Sequence, residues 1–274
     1  MHTEQHIKQS DIQGMRRPLL DLLELNRSLA AGARWALVLL YLLMLVAIWQ
    51  GNIGPAFRPF SEVLLSLRKL FLVDRFSRDI LESLRLSLSA IGLATALTLA
   101  LTYLASVPLF RPASFIISKG RFLGLLGIYF IFIVTFGLGF SLKLALLTFG
   151  ITVFFVTSMY SIVTEIPAAN FDYARSLGLS SWGVFWHVVV RGTIAETLDA
   201  LRQNAAIGWT MIPAVETIVK TGGVGDILWD SIKHFDRGKA LAIMFCILTI
   251  GVVQDIVLKW LQRLAAPYAS AGSR

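Results

Sequence analysis

Four uncharged, apolar runs set the rhythm of this chain: Trp35–Phe57, Leu86–Phe110, Phe122–Leu142 and Leu144–Thr164. Each is long enough to cross the hydrocarbon layer of a bilayer as a helix. Two shorter runs, Gln203–Val215 and Ala240–Gln254, are bounded by single ionisable residues. They reach spanning length if those flanking residues snorkel or face a protein interior. The pattern therefore predicts an all-α membrane protein of six transmembrane helices. Two segments carry a one-sided pattern instead. Residues 18–29, "PLLDLLELNRSL", open on proline and place leucines mostly on one side, which predicts a short helix on the membrane surface or against the bundle. Residues 60–71, "FSEVLLSLRKLF", put Phe60, Val63, Leu64, Leu67 and Phe71 on one helical face.

Between the fourth and fifth runs the pattern breaks for about thirty residues, Thr164 to Thr193. A loop of that length without structure of its own is uncommon. Pro167 suits a first helical turn, and Phe171, Ala174 and Leu177 then recur every third residue. Gly178 follows where a left-handed cap needs no side chain. Ser180 or Ser181 can cap a second helix, whose Trp182, Phe185, Trp186 and Val189 fall on one face. Two short helices joined by a glycine turn are expected here, one against the bundle and one facing a partner.

Composition and charge sharpen this picture. Hydrophobic residues are 56% of the 274-residue chain and charged ones 15%, and the mean hydropathy of +0.70 is far from that of a soluble domain. The net charge of +8 fits helix ends meeting lipid phosphates better than it fits nucleic acid. Lys8, Arg16, Arg17, Arg27 and Arg34 precede the first run, which predicts a cytoplasmic N-terminus, and six crossings return Lys259 and Arg263 to the same side. The loop after the first run also holds Arg58, Arg68, Lys69, Arg75 and Arg78, so the orientation rests mainly on the first span. That span is expected to stay as an anchor, because no cleavage site follows it. Trp35 and Trp49 bracket it about 21 Å apart at the helical rise. The expected organisation is a cytoplasmic segment over 1–33, a transmembrane domain over 34–268 and a tail over 269–274, with no internal repeat.

Candidate chemistry is sparse. Cys246 is the one cysteine, so neither an internal disulfide nor a cysteine metal cluster can form. His187 and His234 fall on opposite sides of the predicted membrane and cannot share a metal. Ser141, in "GFSLK", lacks the second glycine of a nucleophile elbow. No catalytic or metal site is expected. The chain also lacks a G-x-x-x-x-G-K-[ST] phosphate loop, so ATP chemistry by that route would belong to a partner. The fifth run is the most polar. Asp199, Arg202, Gln203, Asn204, Thr210 and Glu216 lie in or beside it, with Arg202, Trp209 and Glu216 at seven-residue intervals. Ionisable groups in a span usually face a polar interior and mark a pathway. Arg202, Gln203, Asn204, Trp209, Thr210 and Glu216 are thus candidates for lining a translocation path. The alternative, for the charges, is anchoring at the two membrane faces. Asp199 and Arg202 are also spaced to pair across one turn.

"DYARSLG", Asp172 to Gly178, followed by the apolar run Val188–Val190, resembles the EAA loop of ATP-binding-cassette importer permeases. The family pattern is Glu-Ala-Ala, three residues, Gly, nine residues, then Ile-x-Leu-Pro. Asp172 takes the place of the Glu, Tyr173 and Ala174 those of the two alanines, and Gly178 that of the Gly. Val188 and Val190 stand for the Ile and Leu, while Arg191 replaces the proline. "LESLRLSLSAIGLATALTLALTYLA", the stretch leading into the loop and "GGVGDILWDSIKHFD" extend the likeness over roughly residues 55–268. It is strongest to permeases of the nitrate, sulfonate, taurine and bicarbonate group. The resemblance implies a type I importer permease fold in a bacterial inner membrane and a homodimer around a central path. It implies a coupling loop over 164–192, with Asp172, Tyr173, Ala174, Gly178, Ser180 and Trp182 seated on two cytoplasmic ATPase subunits. ATP-Mg would be bound by those partners and no cofactor by this chain. A periplasmic or lipid-anchored binding protein would deliver a small anionic solute. A passive channel or facilitator with a regulatory docking loop, or a membrane scaffold, is the competing expectation.

Overall fold

The computed structural model describes residues 31–50, 60–72, 76–105, 116–117 and 119–265. The expected surface helix over 18–29, residues 51–57 of the first run, Arg58, Arg75, the Trp49 side chain and the tail over 269–274 lie outside the described residues. The chain divides into two units, Met1–Phe60 and Ser61–Arg274. In the first, α1 (Ala31–Gln50) is a 20-residue helix, apolar around its whole circumference after Arg34. A helix of that kind has no single face to bury, as expected of one that meets lipid.

The second unit is all helical among its described residues. It contains α2 (Phe60–Leu72, whose first residue belongs to the first unit), α3 (Phe76–Leu104), α4 (Gly124–Phe136), α5 (Phe140–Thr164), α6 (Ala168–Ser176), α7 (Ser181–Val184, continuing to Val190 as a π-helix), α8 (Ile194–Val219), α9 (Val224–Lys233) and α10 (Arg237–Ala265). Helices α3, α5 and α10 are long and apolar enough to cross a membrane. At 26 residues α8 has the length, but it carries Glu196, Asp199, Arg202 and Glu216.

Helices α5, α8 and α10 extend beyond the apolar runs that predicted them, because flanking polar and charged residues continue the backbone ladder, and α3 starts ahead of its run. The third run behaves differently. It was expected to continue to Leu142, yet α4 stops at Phe136 after 13 residues. Gly137 and Gly139 then take φ of +68° and +119°, conformations open to glycine and costly for other residues. Leu142, and the lysine after it, belong to the first turns of α5.

Helices α3 and α5 make the broadest contact, and α8 lies against both. Leu86, Ala90, Ile91 and Ala94 of α3 meet Leu147 and Ile151 of α5 and Ala205, Trp209 and Ile212 of α8 in one buried cluster. Small alanines at that seam let helix backbones approach closely, the usual basis of helix association where lipid offers no hydrophobic driving force. By contrast α10 keeps Met244, Leu248, Val252, Ile256, Trp260 and Leu264 exposed, an apolar surface suited to lipid or another apolar partner.

Candidate functional site

The segment over 164–192, where a coupling loop was expected, is built as the local sequence dictates. Pro167 precedes α6, and Gly178 ends it with φ +78°. The Gly178 N–H donates to the Arg175 carbonyl at 2.9 Å and the Leu179 N–H to the Ala174 carbonyl at 3.3 Å. This pair of bonds is a Schellman cap. Ser180 then caps α7, its Oγ accepting the Gly183 N–H at 3.2 Å. Ala174, Val184 and Val189 are buried, while Tyr173, Leu177, Trp182 and Trp186 are exposed. The single apolar face expected for Trp182, Phe185, Trp186 and Val189 is therefore split. Residues Phe185–Val190 form a π-helix, whose wider turn carries the buried Val189 off the face of the exposed Trp186. Asp172 lies beyond the first turn of its helix, where the dipole would favour an anion, and its partner is Arg175 at 3.3 Å, both side chains largely exposed. Such a pair contributes little to stability. What remains at the surface is a cluster of large apolar side chains beside an ion pair, the composition of a protein-binding surface.

On α8 the polar residues separate into two groups. Arg202 donates to Asp199 at 3.2 Å, as the spacing predicted, and also to both carboxylate oxygens of Asp255 on α10 at 3.0 and 3.2 Å. Asn204 is buried and donates to Ser158 at 3.2 Å and to the Ala200 carbonyl at 2.8 Å. Trp209 donates from Nε1 to the Ile247 carbonyl at 2.7 Å within the core cluster. Gln203 and Thr210 are exposed, on one face with Ala206 and Ala214. Gln203 donates to Asp199 at 2.8 Å and Thr210 to its own helix backbone. Of the six pathway candidates, Gln203 and Thr210 face outward, and Asn204, Trp209 and Glu216 are inside the unit. Arg202 is half-buried between the two carboxylates.

Glu216 belongs to a second constellation at the opposite end of the bundle from the coupling segment. Four consecutive backbone N–H groups, Gly222 to Gly225, each reach a side-chain acceptor. Gly222 donates to Asp226 at 3.1 Å, Gly223 to Asp79 at 3.4 Å, Val224 to Ser83 at 3.0 Å and Gly225 to Glu216 at 2.7 Å. The Ser83 hydroxyl donates onward to Glu216 at 2.6 Å. Lys143, with no exposed surface, donates to the Gly222 carbonyl at 2.6 Å and to Glu82 at 3.2 Å. Gly222 and Gly223 hold φ near +100°, and a Cβ at Gly225 would lie 2.6 Å from the Pro213 carbonyl oxygen. The cradle ties α3, α5, α8 and α9 together by satisfying backbone groups that would otherwise be buried unpaired. Asp79, Glu82 and Lys143 were not singled out by the sequence. Lys143 left one signal: it is the lone charge between Phe122 and Thr164.

These features define a multi-pass, all-helical membrane protein with an exposed, glycine-linked helix pair on one end of its bundle and a polar cradle on the other. A family model described as binding-protein-dependent transport system inner membrane component matches residues 35–267, and the chain belongs to that family. It is 28% identical over 136 residues to the taurine transport system permease protein TauC of Escherichia coli (strain K12), 50% of each chain. It is 27% identical over 130 residues to the nitrate import permease protein NrtB of Synechococcus elongatus, 44% of this chain and 47% of the relative. The chain thus spans about half the length of the curated relatives it matches. A solved structure of the MetNI methionine ABC transporter superposes with a TM-score of 0.61 over 69% of this chain and 94% of the other, at 16% identity. An amino acid ABC transporter gives 0.58 over 72% and 95%, at 17% identity. At that identity the likeness is one of fold alone.

Proposed function

We propose that this chain is the membrane permease subunit of an ATP-driven importer for a small anionic solute, of nitrate, sulfonate or bicarbonate type. It crosses a bacterial inner membrane six times with both termini cytoplasmic, and pairs with a second copy around the path. Two ATPase subunits, carrying ATP-Mg, grip residues 164–192, and a solute-binding protein delivers the cargo. The observation that carries this reading is the exposed Tyr173–Leu177–Trp182 cluster on a Schellman-capped helix pair, in a chain of this family. Anionic cargo is supported by the taurine, nitrate and bicarbonate transport named in its relatives. We place the path along the outward face of α8, at Gln203 and Thr210, with Arg202, Asn204, Trp209 and Glu216 holding that helix in place behind it.

The test is affinity capture of the tagged protein from gently solubilised membranes, followed by mass spectrometry and an ATPase assay. Co-purification of an ATPase, lost in the Asp172→Lys, Gly178→Val double variant, supports the reading. A folded chain recovered with no ATPase overturns it and favours the facilitator.

A further inference from the structure

A cavity of about 450 Å³ lies between α3, α4 and α5, walled by Leu93 and Leu97 on one side and by Phe132, Phe136, Phe140 and Phe149 on the other. It exists because α4, only 13 residues long, leaves the outer part of the gap beside α5 unfilled. The phenylalanine wall is rigid: Phe132 stands edge-on to both Phe136 and Phe149, with ring centroids 5.6 and 5.7 Å apart. Leu93, Leu97 and Phe136 are each more than 40% exposed, so the cavity opens sideways at the surface of the unit rather than into the fold. An apolar space of this size falls within the range of ligand sites.

At its mouth stands Arg85. The guanidinium carbon lies 5.3 Å from the centroid of the Phe140 ring, which forms the rim. Arg85 is exposed and has no carboxylate within ion-pair distance among the described residues. An exposed cation stacked on an apolar rim keeps its N–H groups for an anion. From Arg85 to Leu97 is twelve residues of α3, about 18 Å at the helical rise. One leaflet of a bilayer has about 15 Å of hydrocarbon. The cation is thus set at headgroup height when the cavity is at acyl-chain depth.

We infer that this groove is a binding site for a phospholipid with an anionic headgroup, its acyl chain against Leu93, Leu97 and the phenylalanine wall and its phosphate on Arg85. The leaflet is the one at the end of the bundle away from the coupling segment. Charge complementarity and the match of groove length to leaflet depth favour lipid over a second copy of the chain, whose own net charge is positive.

The experiment is delipidation of the purified protein in detergent, with retained phospholipid counted by native mass spectrometry. Exchange in nanodiscs of phosphatidylglycerol and phosphatidylcholine then gives headgroup preference. Wild type should hold about one phospholipid per protomer through delipidation. Ala145→Trp, which fills the groove, should lose it with the oligomeric state unchanged. Arg85→Gln should keep the lipid but lose about fivefold of its preference for phosphatidylglycerol. Equal retention by wild type and Ala145→Trp, or none by wild type, overturns the inference. Loss of the oligomer in Ala145→Trp with lipid unchanged also overturns it and favours a second copy. Should Ala145→Trp fail to fold, an unaltered headgroup preference in Arg85→Gln overturns it alone.

Discussion

Lys143 has no exposed surface, and its ammonium is held by one carboxylate and one backbone carbonyl. Replacing it with methionine keeps the bulk but leaves the Gly222 carbonyl and the inner side of Glu82 without a donor. Breaking one half of a buried pair costs about 3–5 kcal/mol, discounted here because Glu82 is 33% exposed. We predict that Lys143→Met lowers the thermal midpoint in detergent by several degrees, read by fluorescence-detected size exclusion. A midpoint equal to wild type would show that the cradle does not carry stability. At this scale the sequence was partly legible. Asp199 and Arg202 pair as their spacing required, since residues three apart on a helix are neighbours wherever the helix sits. Glu216 could be flagged as a polar residue but not given its partners. Ser83 and Gly225 come from segments 133 residues before it and nine after it.

Among the elements, the coupling segment repays mutation most directly. Gly178 sits at φ +78° with nothing within 4 Å of a built Cβ, so the cost of a side chain there is conformational and not steric. Valine in that region is a backbone outlier. Gly178→Val should therefore retain membrane insertion while losing ATP-dependent uptake; normal uptake in proteoliposomes would refute the coupling role of the turn. The end of α7 offers a finer test. The Arg191 N–H closes a π-type turn by donating to the Trp186 carbonyl at 2.9 Å, a bond that the proline of the family pattern could not make. Arg191→Ala keeps that N–H and Arg191→Pro removes it. If the π-turn sets the angle at which the segment leaves the bundle, the alanine variant couples as wild type and the proline variant does not. Equal behaviour of the two would mean that the turn is incidental. The helix pair itself was legible, because its stop and start signals are local. The split of its apolar face was not, because a change from an α to a π turn leaves no periodic mark in six residues.

For the whole molecule, the outward face of α8 is where the proposed path can be told from a lipid surface. With Cys246 replaced by serine, single cysteines at Gln203 and Thr210 should react with a charged, membrane-impermeant thiol reagent. Cysteines at Leu126 and Leu248, on exposed apolar faces, should not. Uniform protection of Gln203→Cys and Thr210→Cys would remove the path from α8. This arrangement also marks where sequence ends and tertiary structure begins. The chain by itself determined that it is helical and lives in a membrane, where its short helix pair falls, and that the glycine turn is left-handed. These follow from apolar run length, from local hydrogen-bonding demands and from the steric freedom of one residue. Only the tertiary structure decided that a groove opens where α4 stops short. It alone turned Asn204 and Trp209 inward while Gln203 and Thr210 faced out. It alone drew Asp79, Glu82, Ser83 and Lys143 around the Gly222–Gly225 backbone. Each of those depends on which helices lie side by side, and helix adjacency in lipid is set by the close fit of small residues and by polar groups seeking partners, not by the hydrophobic pattern that made the helices.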